Sequence, residues 1–223
     1  MSHVTEAAAE PVGAAYAPVR GGGIYERVLK RWLDLVFVLA AAPLALPLVL
    51  ALAFLVRRDG GPAFFLQERV GRDGRVFRIL KLRSMVVDAE ARLEAHLDAD
   101  PALRAEWDAN QKLRNDPRIT AVGRFLRRSS LDELPQLWNV LRGEMSVVGP
   151  RPMLPEQREL YPGRAYYRMR PGITGPWQVS DRNAVSFADR ARFDADYAGR
   201  MSLPTDVVIM LLTVRTMLRG TGC

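Results

Sequence analysis

Two adjacent carboxylic acids, Asp132 and Glu133, follow within eight residues of a group of three arginines, at Arg124, Arg127 and Arg128. A carboxylate beside arginines can bind a divalent cation or attack a phosphorus atom, because it supplies hard oxygen ligands and a nucleophile. The planar guanidinium group matches the oxygens of a phosphate or pyrophosphate. This spacing is therefore compatible with phosphate chemistry.

The same residues also have a purely structural interpretation. Ser130 and Glu133 have the spacing of a capping box, in which the serine caps a helix and the glutamate bonds back to the serine N–H. Asp132 would then lie in the first turn, where the helix dipole stabilises its charge. The arginines would form a solvated or lipid-facing basic surface. Spacing alone leaves both interpretations open.

Two loops rich in proline and glycine follow, at 148–155 and 170–176. Arg151 lies between two prolines, which would give a phosphate-binding side chain a rigid mount. Arg170 precedes two glycines and a tryptophan, and glycine allows the backbone to approach a ligand closely. Neither loop alone distinguishes an enzyme from a structural turn.

An uncharged run at 35–56 has the length of a transmembrane helix, about 20 residues for about 30 Å of hydrocarbon. Basic residues favour the cytoplasmic side of a membrane, and here they flank both ends, at 30–31 and 57–58. A helix that breaks at Pro47 and returns to the face it entered would satisfy both ends. A straight span, a buried core helix and a cleavable signal peptide are the alternatives. Asp34 is expected at headgroup level, paired with one of the two basic residues before it.

The charge balance restricts the partners. Lysine and arginine outnumber acidic residues by 32 to 25, and the pI is near 10.1, which suits anionic lipids, nucleic acid or phosphorylated small molecules. The apolar run favours lipid and phosphate, and no basic stripe interleaved with aromatic residues indicates nucleic acid. The only cysteine is Cys223 and the only histidines are His3 and His96. These numbers exclude a disulfide framework and a metal site built from cysteine or histidine, and they favour a reducing compartment.

The remaining pattern predicts an α+β fold that is mainly helical. We expect a flexible tail at 1–23, a membrane anchor at 24–58 and a globular domain at 59–223. Strand-like stretches at 64–69 and 75–82 flank an Asp-Gly turn and predict a short β-hairpin. Helices are expected at 86–113 with a kink at Pro101, at 119–127, at 130–141 with Gly143 as the cap, and at 204–218. The last of these is amphipathic, and it would either lie in the membrane interface or pack on the domain.

Three stretches of the chain together resemble the bacterial sugar transferase family, the monotopic phosphoglycosyl transferases that begin exopolysaccharide, O-antigen or glycoprotein glycan assembly. They lie at 81–85, 130–152 and 170–175, and the resemblance extends from about residue 24 to the end. It implies transfer of a sugar 1-phosphate from a UDP-sugar to undecaprenyl phosphate, with release of UMP. UDP-galactose or UDP-glucose is the favoured donor. It also implies a re-entrant helix hairpin, amphipathic interfacial helices and a small catalytic domain at the cytoplasmic face of the bacterial inner membrane, among anionic lipids.

The resemblance also assigns roles to individual residues. Asp132 would be the nucleophile that forms an aspartyl phosphosugar and would bind Mg²⁺, while Glu133 would hold or deprotonate the incoming group. Pro47 falls at the family's helix-breaking proline, although Leu46 replaces the usual serine before it. Asp181 stands where the family has a glycine. Phosphate or nucleotide contacts are expected from Lys81, Arg83, Arg127, Arg151, Arg170, Arg182 and Asn183.

Two other functions stay open from the sequence. A membrane-bound phosphodiesterase or phosphatase would use the same groups with water as the acceptor. A non-catalytic adaptor would bind anionic lipid through the anchor and the basic surface. The sequence does not fix the sugar, the polysaccharide pathway or the oligomeric state, which includes a possible homo-oligomer.

Overall fold

The computed structural model describes residues 23–110, 113, 116–180 and 187–218 as a mainly helical α+β fold, which confirms the expected class. The predicted tail at 1–22 lies outside the described residues. The helices are α1 (Lys30–Arg57), α2 (Ala89–Ala99), α3 (Pro101–Asn110), α4 (Ala121–Ser129), α5 (Leu137–Arg142), α6 (Pro176–Val179), α7 (Arg190–Arg200) and α8 (Leu203–Leu218). The strands are β1 (Phe64–Val70), β2 (Val76–Leu82), β3 (Ser146–Val148) and β4 (Gly172–Thr174).

The apolar run forms the long helix α1, which continues a π-helical turn at Tyr25–Leu29. The stretch Tyr25–Arg57 is long and apolar enough to cross a membrane, with a mean hydropathy of 2.7 over its most apolar window. Only 17% of that window is buried, unlike the core helix of a soluble protein. Helical structure continues through Pro43 and Pro47. One long apolar helix is therefore confirmed, and the re-entrant break at Pro47 stays a prediction.

Both ends of α1 pack against the rest of the chain. Near its N-terminus, Val38 joins the central apolar cluster, which also contains Phe77 of β2 and Ile209 of α8. Near its C-terminus, Val56 packs in a second cluster with Leu126 of α4. Burying an apolar side chain of this size contributes about 1.5–3 kcal/mol. These two clusters fix where α1 lies relative to the rest of the fold.

Polar groups at the N-terminal end of α1 find partners on three other elements. Asp34 is buried and accepts hydrogen bonds from Ser146 Oγ at 2.7 Å and from a backbone N–H of β3 at 3.0 Å. Lys30 pairs with Asp206 of α8 at 2.5 Å, and Arg31 donates to two carbonyls of α5. The expected pairing of Asp34 with a neighbouring basic residue is wrong, because β3 supplies donors inside the fold. Lys30, Arg31, Asp34 and Asp206 are named the helix junction below.

Strands β1 and β2 form the expected antiparallel hairpin, in which Phe64 lies opposite Leu82. At its tip, Asp73 has φ 57° and Gly74 has φ 75°, the left-handed pair that an Asp-Gly sequence favours. The second strand, β2, carries Lys81 near its end and packs against the 3-10 helix Leu131–Gln136. The hairpin thereby brings Lys81 next to the carboxylate pair.

Helices α2 and α3 confirm the predicted helical segment and its interruption at Pro101. Asp100 separates the two helices, and its Oδ1 accepts a hydrogen bond from the Ala102 N–H at 2.8 Å. The pair has a small apolar cluster of its own, which includes Leu93 and Leu97.

Strands β3 and β4 are a parallel pair that the sequence did not predict. Ser146 lies opposite Gly172, which joins the two loops rich in proline and glycine. A Cβ atom on Gly172 would overlap the backbone of Gly149, and one on Gly175 would overlap the Gly149 carbonyl. These glycines therefore allow two backbone segments to approach each other, rather than a ligand as the sequence suggested.

The C-terminal helix α8 occupies the range expected for it and has two different faces. Asp206 and Ile209 are buried against the fold, whereas Val208, Leu211 and Val214 remain exposed. One edge of α8 packs on the domain, and the exposed apolar side chains suit a lipid surface. The preceding helix α7 was not predicted.

Candidate active site

A cavity of about 610 Å³ lies between α1, α8 and the chain around Asp132. One wall is a face of α1 with helical spacing, formed by Phe37, Ala40, Ala41, Leu44, Ala45 and Leu48. Side chains of α8 line another wall, among them Met210, Val214 and Met217. The polar end contains five of the predicted site residues, Lys81, Arg127, Asp132, Glu133 and Arg151. The cavity thus joins a charged end to apolar walls, as an amphiphilic ligand requires.

The turn before Asp132 has an uncommon backbone conformation. Helix α4 ends at Ser129, and Ser130 then adopts φ 56° and ψ 18°, a left-handed conformation that non-glycine residues rarely take. Ser130 makes no side-chain cap, so the expected capping box with Glu133 is wrong. The left-handed residue ends α4 and starts the 3-10 helix that carries Asp132. Such conformations concentrate at functional sites, where surrounding structure maintains them.

Glu133 forms an ion pair with Lys81 instead of capping the helix. The distance from Lys81 Nζ to Glu133 Oε1 is 2.8 Å, and both side chains are about four-fifths buried. This pair joins β2 to the 3-10 helix and holds a lysine ammonium beside Asp132.

Asp132 is only 9% exposed, and burial raises the pKa of its carboxyl group above the usual value. The charge of Glu133 raises that pKa further, while Lys81 and Arg127 act in the opposite direction. The raised pKa indicates that the two cations do not fully offset the loss of hydration. A divalent cation or another positive group at this position would supply the missing charge. A carboxylate in these surroundings can attack phosphorus.

Magnesium binding at the polar end stays a prediction. Among the described residues, no group of three or more His, Cys, Asp or Glu side chains could hold a metal ion. Magnesium is usually bound by one or two carboxylates together with substrate phosphates and water. Asp132 and Glu133 can supply those carboxylates, and the substrate would have to supply the phosphates.

Arg83 does not line the cavity and is held by the fold. Its side chain is 6% exposed, and it donates hydrogen bonds to the Asp59 carboxylate at 2.8 and 2.5 Å. It also donates to the carbonyl groups of Val56, Pro62 and Met85. The guanidinium thus joins the C-terminal end of α1 to β2. A substrate contact for Arg83 remains a prediction that this arrangement does not support.

Arg170 lies in a different cavity, of about 160 Å³, beside the helix junction. Its Nε donates to the Gly143 carbonyl at 2.9 Å. Other basic side chains line the same space, among them Arg27, Lys30, Arg72 and Arg168. The structure therefore does not bring Arg170 to Asp132. The remaining predicted contacts, Arg182 and Asn183, and the departure at Asp181, lie outside the described residues.

Several polar side chains near the cavity were missed by the sequence analysis. Gln178 lines the cavity and is buried, yet neither atom of its amide group has a hydrogen-bond partner. Gln136, on the 3-10 helix of Asp132, has an unpaired and buried Nε2. Arg69 and Arg190 each have a buried Nε without a partner. Gln136 and Gln178 fall in or beside the motifs of the resemblance, but no sequence signal marks Arg69 or Arg190.

Known proteins are similar to this chain over most of its length. The sequence model of a family described as bacterial sugar transferase matches residues 25–220. A UDP-galactose-lipid carrier transferase of Erwinia amylovora is 52% identical over 198 residues, and an undecaprenyl-phosphate galactose phosphotransferase of Salmonella typhimurium is 48% identical over 198 residues. Each alignment covers 88% of this chain and 42% of the relative, so the chain spans less than half the length of those proteins. An exopolysaccharide production protein ExoY of Rhizobium meliloti is 42% identical over 227 residues, covering 100% of this chain and 99% of that protein.

Proposed function

The chain belongs to the bacterial sugar transferase family, and from this premise we propose that it transfers a sugar 1-phosphate from a UDP-sugar to undecaprenyl phosphate and releases UMP. The observation that carries the proposal is the buried Asp132 at the charged end of an apolar-walled cavity. A polyprenyl phosphate has the same two parts, a phosphate and a long apolar chain. The names of two relatives specify galactose, which supports UDP-galactose as the donor, with UDP-glucose as the second choice.

In the first half-reaction, Asp132 attacks the sugar-linked phosphorus of the donor. A bond forms between the carboxylate oxygen and that phosphorus, and the bond from phosphorus to the bridging oxygen breaks. The bonding electrons go to the bridging oxygen, which leaves as part of UMP. Lys81 and Arg127, which act on the charge of Asp132, stabilise the phosphoryl group during transfer.

In the second half-reaction, an oxygen of the lipid phosphate attacks the phosphorus of the aspartyl phosphosugar. The new bond joins the two phosphates, and the bond to Asp132 breaks and restores its carboxylate. Glu133 keeps Lys81 in place through the 2.8 Å ion pair and helps to hold the incoming phosphate through that lysine. Asp132 and Glu133 would hold Mg²⁺, which supplies charge neutralisation for the phosphates when bound.

The acceptor lipid reaches the carboxylates along the apolar walls formed by α1 and α8. The exposed apolar side chains of α8 and the low burial of α1 support contact with lipid, and we place the protein in the cytoplasmic leaflet of the inner membrane. Both ends of α1 pack against the same globular part. A re-entrant path requires this arrangement, whereas a straight span would place its ends on opposite sides of the membrane.

Cysteine accessibility tests the re-entrant path. Ile24→Cys and Glu90→Cys, each with Cys223 replaced by serine, should react with a membrane-impermeant reagent from the cytoplasmic side only. Labelling of the two sites from opposite sides would establish a straight span. If Pro47 provides the break, Pro47→Ala should move residue 24 to the far side.

UMP release by purified protein tests the proposed reaction. The protein is incubated with Mg²⁺ and a panel of UDP-sugars, with and without undecaprenyl phosphate. We expect continued UMP release only with the lipid and with one or two sugars, and at most one equivalent per enzyme without the lipid. UDP as the product would show ordinary glycosyl transfer and would exclude Asp132 as the nucleophile that attacks phosphorus.

Two further outcomes identify the alternatives. Many turnovers of UMP release without lipid would indicate a phosphodiesterase that uses water. Absence of any nucleotide product from folded protein, with every UDP-sugar, would favour the non-catalytic lipid-binding adaptor.

A further inference from the structure

Three arginines from separate parts of the chain lie close together beside the cavity, and two of them lie over the ring of Trp177. The guanidinium of Arg190, on α7, lies 4.2 Å from the ring centroid, and that of Arg151 lies 5.6 Å from it. Arg69, at the end of β1, donates to the carbonyl of Pro152 at 3.3 Å, next to Arg151. Arg69, Arg151 and Arg190 are named the arginine cluster. Because Arg151 also lines the cavity that contains Asp132, the cluster adjoins this cavity.

No ion pair joins the cluster to a carboxylate of the described residues, although Asp194 acts on Arg190, and Glu133 and Glu156 act on Arg69, from a longer distance. No carboxylate there lies within 4.0 Å of any of the three guanidinium groups. The closest acid along α7, Asp194, instead accepts a hydrogen bond from Tyr161 at 2.6 Å. Burial lowers the pKa of Arg69 and of Arg190 to about 10, and repulsion from Arg151 is the second-largest cause. The three positive charges therefore oppose one another in a partly dehydrated place.

The same place contains most of the buried side-chain polar atoms that lack a hydrogen-bond partner in the described chain. The Nε atoms of Arg69 and Arg190, the Nε1 of Trp177 and the amide group of Gln178 are buried without a hydrogen-bond partner. Buried polar groups in native proteins are nearly always paired, because an unpaired one costs free energy. Arg83 shows that this chain can fully pair a buried arginine. The unpaired donors of the cluster, Trp177 and Gln178 therefore point toward a group that the described residues do not supply.

We propose that the arginine cluster binds the nucleotide-side phosphate of the donor and stabilises it as the leaving group. This assignment rests on the proposed phosphoglycosyl transfer and divides the anion-binding groups between two positions. Lys81 and Arg127, beside Asp132, contact the phosphoryl group that stays on the protein. The arginine cluster contacts the phosphate that departs with uridine.

The chemistry of the first half-reaction explains why the second position needs several cations. When the bridging bond breaks, its electron pair remains on the oxygen of the leaving group, and the departing phosphate gains one negative charge. Guanidinium groups already held in place can meet that charge without reorganisation. They also offer paired N–H donors that match phosphate oxygens.

Nucleotide binding to variants of the full chain tests this assignment without requiring turnover. The dissociation constants of UMP and of uridine are measured for the purified wild type and for Arg190→Gln. We expect the variant to bind UMP about 10-fold more weakly, the loss of one charged hydrogen bond, and to bind uridine as the wild type does. The KM for the UDP-sugar should rise, and the KM for undecaprenyl phosphate should stay unchanged. Arg192→Gln, at an exposed arginine on the same helix, is the matched control and should change none of these dissociation constants or KM values.

Two more variants distinguish the loss of a phosphate contact from misfolding. Arg69→Gln removes a member of the cluster from a different element and should produce the same selective loss of UMP binding. Arg190→Lys keeps the charge and should restore part of it, which a purely structural role for the side chain would not predict.

The outcomes separate this inference from the proposed function. Unchanged preference for UMP over uridine in folded Arg190→Gln and Arg69→Gln, with a wild type that turns over, would overturn the inference alone. A rise confined to the KM of the lipid acceptor would also overturn it. Selective loss of UMP binding, with a wild type that never forms UMP from any UDP-sugar, would support the phosphate site and reject the proposed reaction.

Discussion

The helix junction and the arginine cluster differ in how their polar groups are paired. At the junction, Lys30, Asp34 and Asp206 each have a hydrogen-bonding partner. Beside the cavity, the arginine cluster, Gln178 and Trp177 contain donors without a partner. Both regions bury charged groups. At the junction, Asp206 accepts bonds from Lys30, Tyr25 and Tyr197. In the cavity, Asp132 has cations nearby, but its carboxyl still has a raised pKa because burial dominates.

This difference teaches that burial alone does not identify a functional group. Arg83 is more deeply buried than any member of the arginine cluster, and its partners show that it maintains the fold. The number of hydrogen-bond partners distinguishes an arginine that maintains the fold from the arginines of the cluster. Paired groups should matter for stability, and unpaired groups should matter for binding and turnover.

The largest effect is expected from Asp132→Asn. Asparagine has nearly the same shape but cannot attack phosphorus as a carboxylate does, so turnover should fall by at least about 10³-fold. The melting temperature should stay the same or rise, because the substitution removes a buried charge that the site does not fully compensate. UMP formation and thermal unfolding of the same preparation measure both quantities. Turnover within tenfold of the wild type would exclude Asp132 as the nucleophile.

Asp206→Asn is the matched substitution at the helix junction and should give the opposite pattern. The side chains of Lys30 and Asp206 are 12% and 8% exposed, and breaking a buried ion pair costs about 3–5 kcal/mol. We expect a clear fall in melting temperature, with turnover per folded molecule close to that of the wild type. A variant that melts like the wild type but loses its activity would contradict the distinction between the two regions.

The elements that the sequence predicted well are those with local signals. The Asp-Gly turn fixes the β-hairpin through Asp73 and Gly74, and Gly143 adopts φ 80° at the end of α5. Pro101 begins α3 because proline suits the first turn of a helix. In each case, the residues that give the signal also make the structure, so no distant contact is needed.

The features that the sequence missed depend on distant contacts. Strands β3 and β4 have three residues each, too few for a period, and they pair across more than twenty residues of chain. Asp34 could not be assigned to Ser146 without knowing that β3 passes α1. Arg83 and Arg151 looked alike as phosphate ligands, and only the position of Asp59 beside Arg83 separates them.

Within the site, the sequence identified the chemistry better than the geometry. Residue types and spacing pointed to Asp132, Glu133, Arg127 and Arg151, the resemblance added Lys81, and the structure brings all five to one cavity. The resemblance gave no indication of Arg69 or Arg190, because an isolated arginine in a strand or helix is ordinary in sequence. Their significance comes from their proximity to Arg151 and from their buried Nε atoms, which have no hydrogen-bond partner.

The smallest expected effect concerns Asp194, a buried carboxyl group whose pairing is intermediate between that of the helix junction and that of the arginine cluster. It has a partner in Tyr161, yet burial raises its pKa to about 6, with Tyr161 and Arg190 acting against that shift. The unfolded value is about 4, so the folded state binds this proton more tightly. The contribution of Asp194 to stability is therefore complete below about pH 4 and is lost as the pH rises through about 6.

Asp194→Asn should remove this dependence, because the amide still accepts the Tyr161 hydrogen bond and does not ionise. We expect the variant and the wild type to melt at similar temperatures near pH 4, and the variant to gain on the order of 2 kcal/mol relative to the wild type by pH 7.5. Asp196→Asn, an exposed position on the same helix, is the control and should show no such divergence. A constant difference between wild type and Asp194→Asn across this range would mean that Asp194 is already ionised at pH 4. It would then belong with the fully compensated charges of the helix junction.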